Sequence, residues 1–152
     1  MHAAEFVDMY SDESSGKTVF TNGCFDILHP GHLDYLKRAR ELGDYLIVGL
    51  NSDSSVSVIK GKNRPVNNIS HRKLMLQLLP FVDEVVVFNE ETPLELIKQL
   101  RPNVLVKGGD YNFDTVVGAQ LVVDMGGEVK ILSFLEGFST SSIIKNARAL
   151  SD

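Results

Sequence analysis

The chain has 152 residues, 43% apolar and 23% charged, with a mean hydropathy of +0.00; this is the length of one ordinary domain with enough apolar material for a core, which excludes disorder and makes two domains a forced reading. Fifteen Lys and Arg against 20 Asp and Glu leave a net charge of −5, which argues against nonspecific binding to nucleic acid or to anionic membranes. A single cysteine, Cys24, excludes an internal disulfide, no Cys/His set has zinc-site spacing, and no apolar run nears the roughly 20 residues of a membrane span, so a cytoplasmic protein without a metal site of its own is expected.

Residues 1–16 are polar, acidic and aperiodic, and read as a flexible lead-in to a domain over 17–152. Short apolar runs then alternate with amphipathic ones. Thr18–Asn22, Tyr45–Asn51, Glu84–Phe88, Val104–Lys107 and Glu128–Ile131 read as buried strands. Leu33, Leu36 and Ala39 mark one helix, Leu74, Met75 and Leu78 a second, Leu94 and Ile97 a third, the stretch Asp114 to Met125 a fourth, and Ile143, Ile144 and Ala147 the last. Strand and helix alternating at this spacing, with no Asn-Gly hairpin between strands, predict βαβ units: a Rossmann-like doubly wound α/β fold, its five-stranded parallel sheet covered by helices on both faces. Ligands of such sheets bind beyond the carboxyl ends of the strands, so the strand-to-helix turns are where chemistry is expected.

The first such turn is Asn22-Gly23-Cys24-Phe25-Asp26-Ile27-Leu28-His29-Pro30-Gly31-His32. Pro30 disfavours helix at His29 and presets the first helical dihedral itself, which puts His29 just outside the helix and His32 in its first turn. Gly31 removes a side chain between them. The result is two imidazoles flanking bare backbone at a helix N-terminus, where free N–H groups and the helix dipole favour an anion such as phosphate. Two histidines three apart also suit half of a metal site or plain surface positions, but a metal would want more carboxylate or thiol than Asp26 supplies. Asp26 fits either a backbone cap or a ligand contact, and Cys24 reads as a small packed residue rather than a nucleophile.

From Ser54 to Val82 there is no Asp or Glu, yet Lys60, Lys62, Arg64, Arg72 and Lys73 fall inside. This cationic zone on an acidic chain suits a small polyanion, although a solvated loop is the commoner fate of Lys60-Gly61-Lys62-Asn63-Arg64-Pro65. Arg64 and Arg72 are the better candidates for fixing phosphate geometry, because a guanidinium donates two parallel hydrogen bonds. After the fourth strand, Lys107-Gly108-Gly109-Asp110 supplies another bare-backbone turn. Finally, Ser139-Thr140-Ser141-Ser142 clusters hydroxyls at a helix start, where one would suffice as N-cap and the others suit phosphate oxygens.

These residues resemble the nucleotidyltransferases with an H-x-G-H motif, carried here by His29-Pro30-Gly31-His32 and by Ser139 to Lys145, over about Thr18 to Ala149. Within them, Phe20 to His29, Lys60-Gly61 with Arg64-Pro65-Val66-Asn67, and Leu105 to Tyr111 are most similar to the heptose 1-phosphate adenylyltransferases, whose larger bifunctional relatives also carry a sugar kinase domain. Glycerol-3-phosphate cytidylyltransferases are similar in the twin histidines and in His71-Arg72-Lys73-Leu74, but carry Arg-Thr-Glu-Gly where this chain has Phe134-Leu135-Glu136-Gly137. The resemblance implies AMP transfer from ATP to D-glycero-D-manno-heptose 1-phosphate, with magnesium accompanying the triphosphate, in a homodimer. It implies that His29 and His32, with Lys62 and Arg72, act at the reacting phosphates, the paired imidazoles neutralising the triphosphate. Gly23, Phe25, Gly31, Lys60, Gly108, Thr140 and Ser141 would hold the nucleotide, and Asp26, Arg64 and Asp110 would shape the acceptor or nucleoside pocket. A non-catalytic nucleotide sensor on the same fold is the alternative of a different class.

Overall fold

A computed structural model describes residues 16–109 and 111–150; the predicted lead-in over 1–15 and Asp110 lie outside the described residues. Five strands, β1 (Thr18–Gly23), β2 (Tyr45–Asn51), β3 (Glu84–Phe88), β4 (Val104–Gly108) and β5 (Glu128–Leu132), form one sheet in the order β3-β2-β1-β4-β5. All neighbouring pairs are parallel, in a register that sets Phe20 against both Ile47 and Leu105. The helices are α1 (Pro30–Arg40), α2 (Asp53–Lys60), α3 (Ile69–Gln77), α4 (Leu94–Leu100), α5 (Ala119–Asp124) and α6 (Thr140–Ala149), with a 3-10 turn at Phe113–Thr115.

Side chains alternate across a strand, and here both sets are apolar. Val19, Leu46, Val48, Val85, Val104 and Val106 meet Tyr35, Leu36 and Ala39 of α1 and Leu76 of α3 on one face. Phe20, Ile47, Val86, Phe88 and Leu105 meet Leu96 and Ile97 of α4 and Ala119 and Val122 of α5 on the other. Burial on two sides makes the middle of β1–β4 largely apolar, which is why the sequence marks them; the expectation of a buried strand at Glu128–Ile131 is corrected, because β5 lies at the sheet edge with Glu128, Lys130 and Ile131 exposed. The chain leaves β1 toward β2 and β3 on one side and later returns to β4 and β5 on the other, so the sheet's topological switch lies between β1 and β4. A crevice forms there.

Two expectations about helices are corrected. The fourth predicted helix is split: the 3-10 turn and α5 are separated at Gly118, whose φ of 84° no helical residue adopts. On α3, Leu74, Met75 and Leu78 face solvent, and the buried residues are Arg72 and Leu76. The short helix α2, capped by the Ser52 side chain accepting from Ser55 N, was not predicted, and Lys60 is its last residue rather than part of a loop. No helix among the described residues is long and apolar enough to cross a membrane.

Candidate active site

β1 ends in a tight turn in which Phe25 adopts φ 45°, a left-handed conformation that costs a bulky residue energy and marks a constrained site. Phe25 is buried and its ring sits 5.2 Å from that of His32. Gly23 leaves room for it, since a Cβ there would stand 2.9 Å from the Phe25 ring. His29 is the N-cap of α1, with Pro30 at the first helical position, and its Nδ1 accepts from His32 N at 3.4 Å. The two imidazoles stack at 3.8 Å and 22°. Gly31 permits this, because a Cβ would lie 2.9 Å from the His29 ring and 3.3 Å from Phe138. The sequence therefore placed both histidines where they are found.

Their charge is another matter. Burial, reinforced by His29 and opposed by a bond to the Ile27 backbone, lowers the His32 pKa to about 4, and burial lowers His29 as well. His32 Nδ1 is buried without a hydrogen-bond partner. In the free protein both imidazoles are thus biased toward the uncharged form, in which they offer hydrogen bonds rather than charge.

The histidines line a cleft of about 580 Å³ at the carboxyl end of the sheet. The N-terminus of α6 lines the same cleft beside them, with the Phe138 ring 6.4 Å from that of His29. Ser139 caps that helix, accepting from Ser142 N at 3.0 Å and donating to Ser142 Oγ at 2.7 Å. Thr140 Oγ1 donates to the Ile27 carbonyl at 3.2 Å, tying α6 to the histidine turn. Ser141, on the cleft wall, has no such engagement among the described residues. Two helix N-termini thus converge on one space, an arrangement that attracts anions. Gly108 also lines the cleft, but its missing side chain accommodates protein: a Cβ would stand 2.5 Å from the Phe134 ring.

Of the predicted basic residues, Lys60 and Arg64 line the cleft. Lys62 lies on the exposed turn just beyond it. Arg64 Nε donates to Asp26 Oδ2 at 2.7 Å, Val66 N to the same oxygen at 2.8 Å, and Asn67 N to Oδ1 at 2.8 Å. Burial pushes the Asp26 pKa up, but those bonds outweigh it and hold the carboxyl below its usual range. Asp26, both of its carboxylate oxygens engaged, is a clamp fastening residues 64–67 to the β1 turn rather than a free ligand contact, whereas Arg64 binds it through Nε alone and lines the cleft. Arg72 is corrected more strongly. It is 1% exposed, outside the cleft lining, and donates to Asn67 O, Cys24 O, Asn51 O and Asp53 Oδ1. It joins the ends of β1 and β2 to α2 and α3 and has no face left for phosphate. Burial pushes the Cys24 thiol up, in keeping with a packed residue rather than a nucleophile.

Sequence reasoning missed several lining residues, among them Lys107, Glu91, Phe134 and Phe138. Only Lys107 carried a signal, as a charge ending an otherwise apolar strand.

Fold and site together define a doubly wound α/β protein with a cleft at its switch point, into which two helix N-termini open. The comparisons narrow this. The model of the cytidylyltransferase-like family matches residues 20–146, and the chain belongs to that family. It is 56% identical over 131 residues to the bifunctional protein HldE of Marinomonas sp., 51% over 146 residues to that of Campylobacter curvus, and 55% over 138 residues to that of Helicobacter hepaticus. These matches take in 86%, 96% and 91% of this chain, but the chain spans only 28%, 30% and 28% of those relatives. Among solved structures, a lipopolysaccharide core biosynthesis protein from Thermoplasma volcanium GSS1 superposes with a TM-score of 0.63 at 28% identity, covering 79% of this chain and 97% of that one. A pantoate-β-alanine ligase from Francisella tularensis shares the fold, with a TM-score of 0.62 at 14% identity over 97% of this chain and 75% of that one.

Proposed function

We propose that the protein transfers AMP from ATP to D-glycero-D-manno-heptose 1-phosphate, giving ADP-heptose and pyrophosphate for lipopolysaccharide or surface glycan synthesis in the cytoplasm. The observation that carries this reading is the stacked His29–His32 pair sharing one cleft with the α6 N-terminus. The HldE relatives and the motifs running through Leu105 to Tyr111 support heptose over glycerol 3-phosphate and adenylyl over cytidylyl transfer.

In this reading a sugar phosphate oxygen attacks the α-phosphorus in line, the bond to the pyrophosphate oxygen breaks, and a new diphosphate forms. The attacking monoester has a second pKa of about 6 and is largely ionised at neutral pH, so no general base is needed. His29, His32, Ser141 and the free amides of α1 and α6 donate to phosphoryl oxygens as charge shifts onto them, and Lys60 adds the cation that the neutral imidazoles lack. Lys62 acts here only when its turn folds over the cleft. Magnesium accompanies the triphosphate and lessens its charge. Triphosphate oxygens and water would hold it, since Asp26 is already engaged by Arg64 and two amides.

A homodimer is part of the same proposal, supported by the exposed apolar row Leu74, Met75 and Leu78 on α3. The decisive experiment is pyrophosphate release from ATP and from CTP with heptose 1-phosphate, glycerol 3-phosphate and no acceptor. Release confined to ATP with the heptose ester is expected; release only with CTP and glycerol 3-phosphate refutes the substrate assignment, and nucleotide binding without any release leaves a sensor.

A further inference from the structure

Lys107 ends β4 half-buried in the cleft, and no carboxylate among the described residues pairs with it. Its Nζ lies 5.2 Å from the Tyr111 ring centroid, a contact that steadies an ammonium without neutralising it. Burial lowers its pKa, the positive charge of Lys60 lowers it further, and nearby Cys24 opposes both. Two lysines in range of one another, one of them half-buried and without a carboxylate partner among the described residues, are unfavourable together and become favourable once an anion enters.

The strand pattern says where that anion sits. Val104 and Val106 point to the α1 face of the sheet and Leu105 to the α4–α5 face, so Lys107 points to the α4–α5 side, as Asn22 does on β1. His29 and His32 head α1, on the opposite face. The cleft therefore straddles the sheet edge, with the histidine donors and the α1 N-terminus on one side and the Lys107 charge on the other. In-line transfer needs attacking and leaving oxygens on opposite sides of the phosphorus. The helix termini suit the triphosphate and its departing pyrophosphate, which leaves the lysine side for the attacking group.

We infer that Lys107 binds the phosphate monoester of the acceptor and holds it for attack. This rests on the proposed nucleotidyl transfer and adds the residue that selects an acceptor bearing a phosphate rather than a bare hydroxyl.

The test is steady-state pyrophosphate release by the full chain and its K107M and K107R variants, varying ATP and acceptor separately. K107M should raise the acceptor KM about tenfold or more, with the ATP KM and the melting temperature near those of the unsubstituted protein, and K107R should recover part of the loss. An equal rise in both KM values, or an unchanged acceptor KM, overturns the assignment. If K107M fails to melt cooperatively, K107R carries the test through the same acceptor-against-ATP split. Calorimetric titration with heptose 1-phosphate and glycerol 3-phosphate separates the two hypotheses: binding lost in K107M but without turnover sinks the reaction and keeps the lysine site, whereas no binding of either ester to the unsubstituted protein sinks the site.

Discussion

At the residue scale, His32 links stability to acidity. Its folded-state pKa of about 4 lies below the ordinary 6.5, so the unfolded chain takes up the proton first as pH falls. The stabilisation is present in full above pH 6.5 and is lost progressively down to about 4. Allowing for solvent screening it amounts to roughly 2 kcal/mol. Thermal melts across that window should show the decline, and His32→Asn should flatten it. An unchanged slope in the variant would mean that other groups drive the acid sensitivity. The same ring gives a catalytic prediction. His29→Ala or His32→Ala should lower kcat on the order of 10²-fold or more, as for other preorganised donors, with the cooperative melt retained. Near-normal turnover in both variants would remove them from the reaction.

At the scale of elements, Arg72 shows how a motif residue can be scaffold. Four acceptors from four segments meet on one guanidinium. Arg72→Ala strands buried carbonyls and should cost about 3 kcal/mol or more in urea unfolding; a loss under about 1 kcal/mol would show that water replaces it readily. Lys62→Ala tests the turn after α2. A severalfold rise in the ATP KM with kcat kept would show the turn closing over nucleotide, and no change in either would leave Lys62 a surface residue.

These cases mark what the sequence could reveal. β1–β4 were legible because burial on two faces makes their centres apolar, β5 only by its spacing since it is mostly exposed, and the histidine turn was legible because its parts are consecutive. The inner face of α3 was not, because hydropathy assigns Leu74, Met75 and Leu78 inward and cannot foresee a cage of carbonyls that draws Arg72 in. Lys107, Phe134 and Phe138 reach the cleft from distant segments, and the neutrality of His32 depends on burial that no local pattern encodes.

At the scale of the whole molecule, a chain of net charge −5 gathers Lys60, Arg64 and Lys107 around one cleft, where Asp26, engaged by Arg64, and Glu91 stand among them. Gathering cations at one place on an acidic protein draws a polyanion there. The proposed homodimer makes its own prediction. Leu78→Glu, at a residue 72% exposed, should halve the mass seen by light scattering without lowering the melting temperature of the protomer below that of a monomeric control. A protein already monomeric before substitution would end that reading.

One more consequence follows from α6. None of its residues is buried, and Thr140 moors its first turn to Ile27. Prising this helix away uncovers little oily surface, so it belongs among the regions that open most readily. On the proposed function, a triphosphate spanning the mouths of α1 and α6 would fasten the two together, and occupancy would stabilise the closed form in proportion to the logarithm of ligand concentration. Backbone amides over 141–149 should accordingly exchange with deuterium quickly in the free protein and slow when ATP is added, while those of β1 and β2 scarcely change. The last helix then works as a clasp whose pin is the substrate itself.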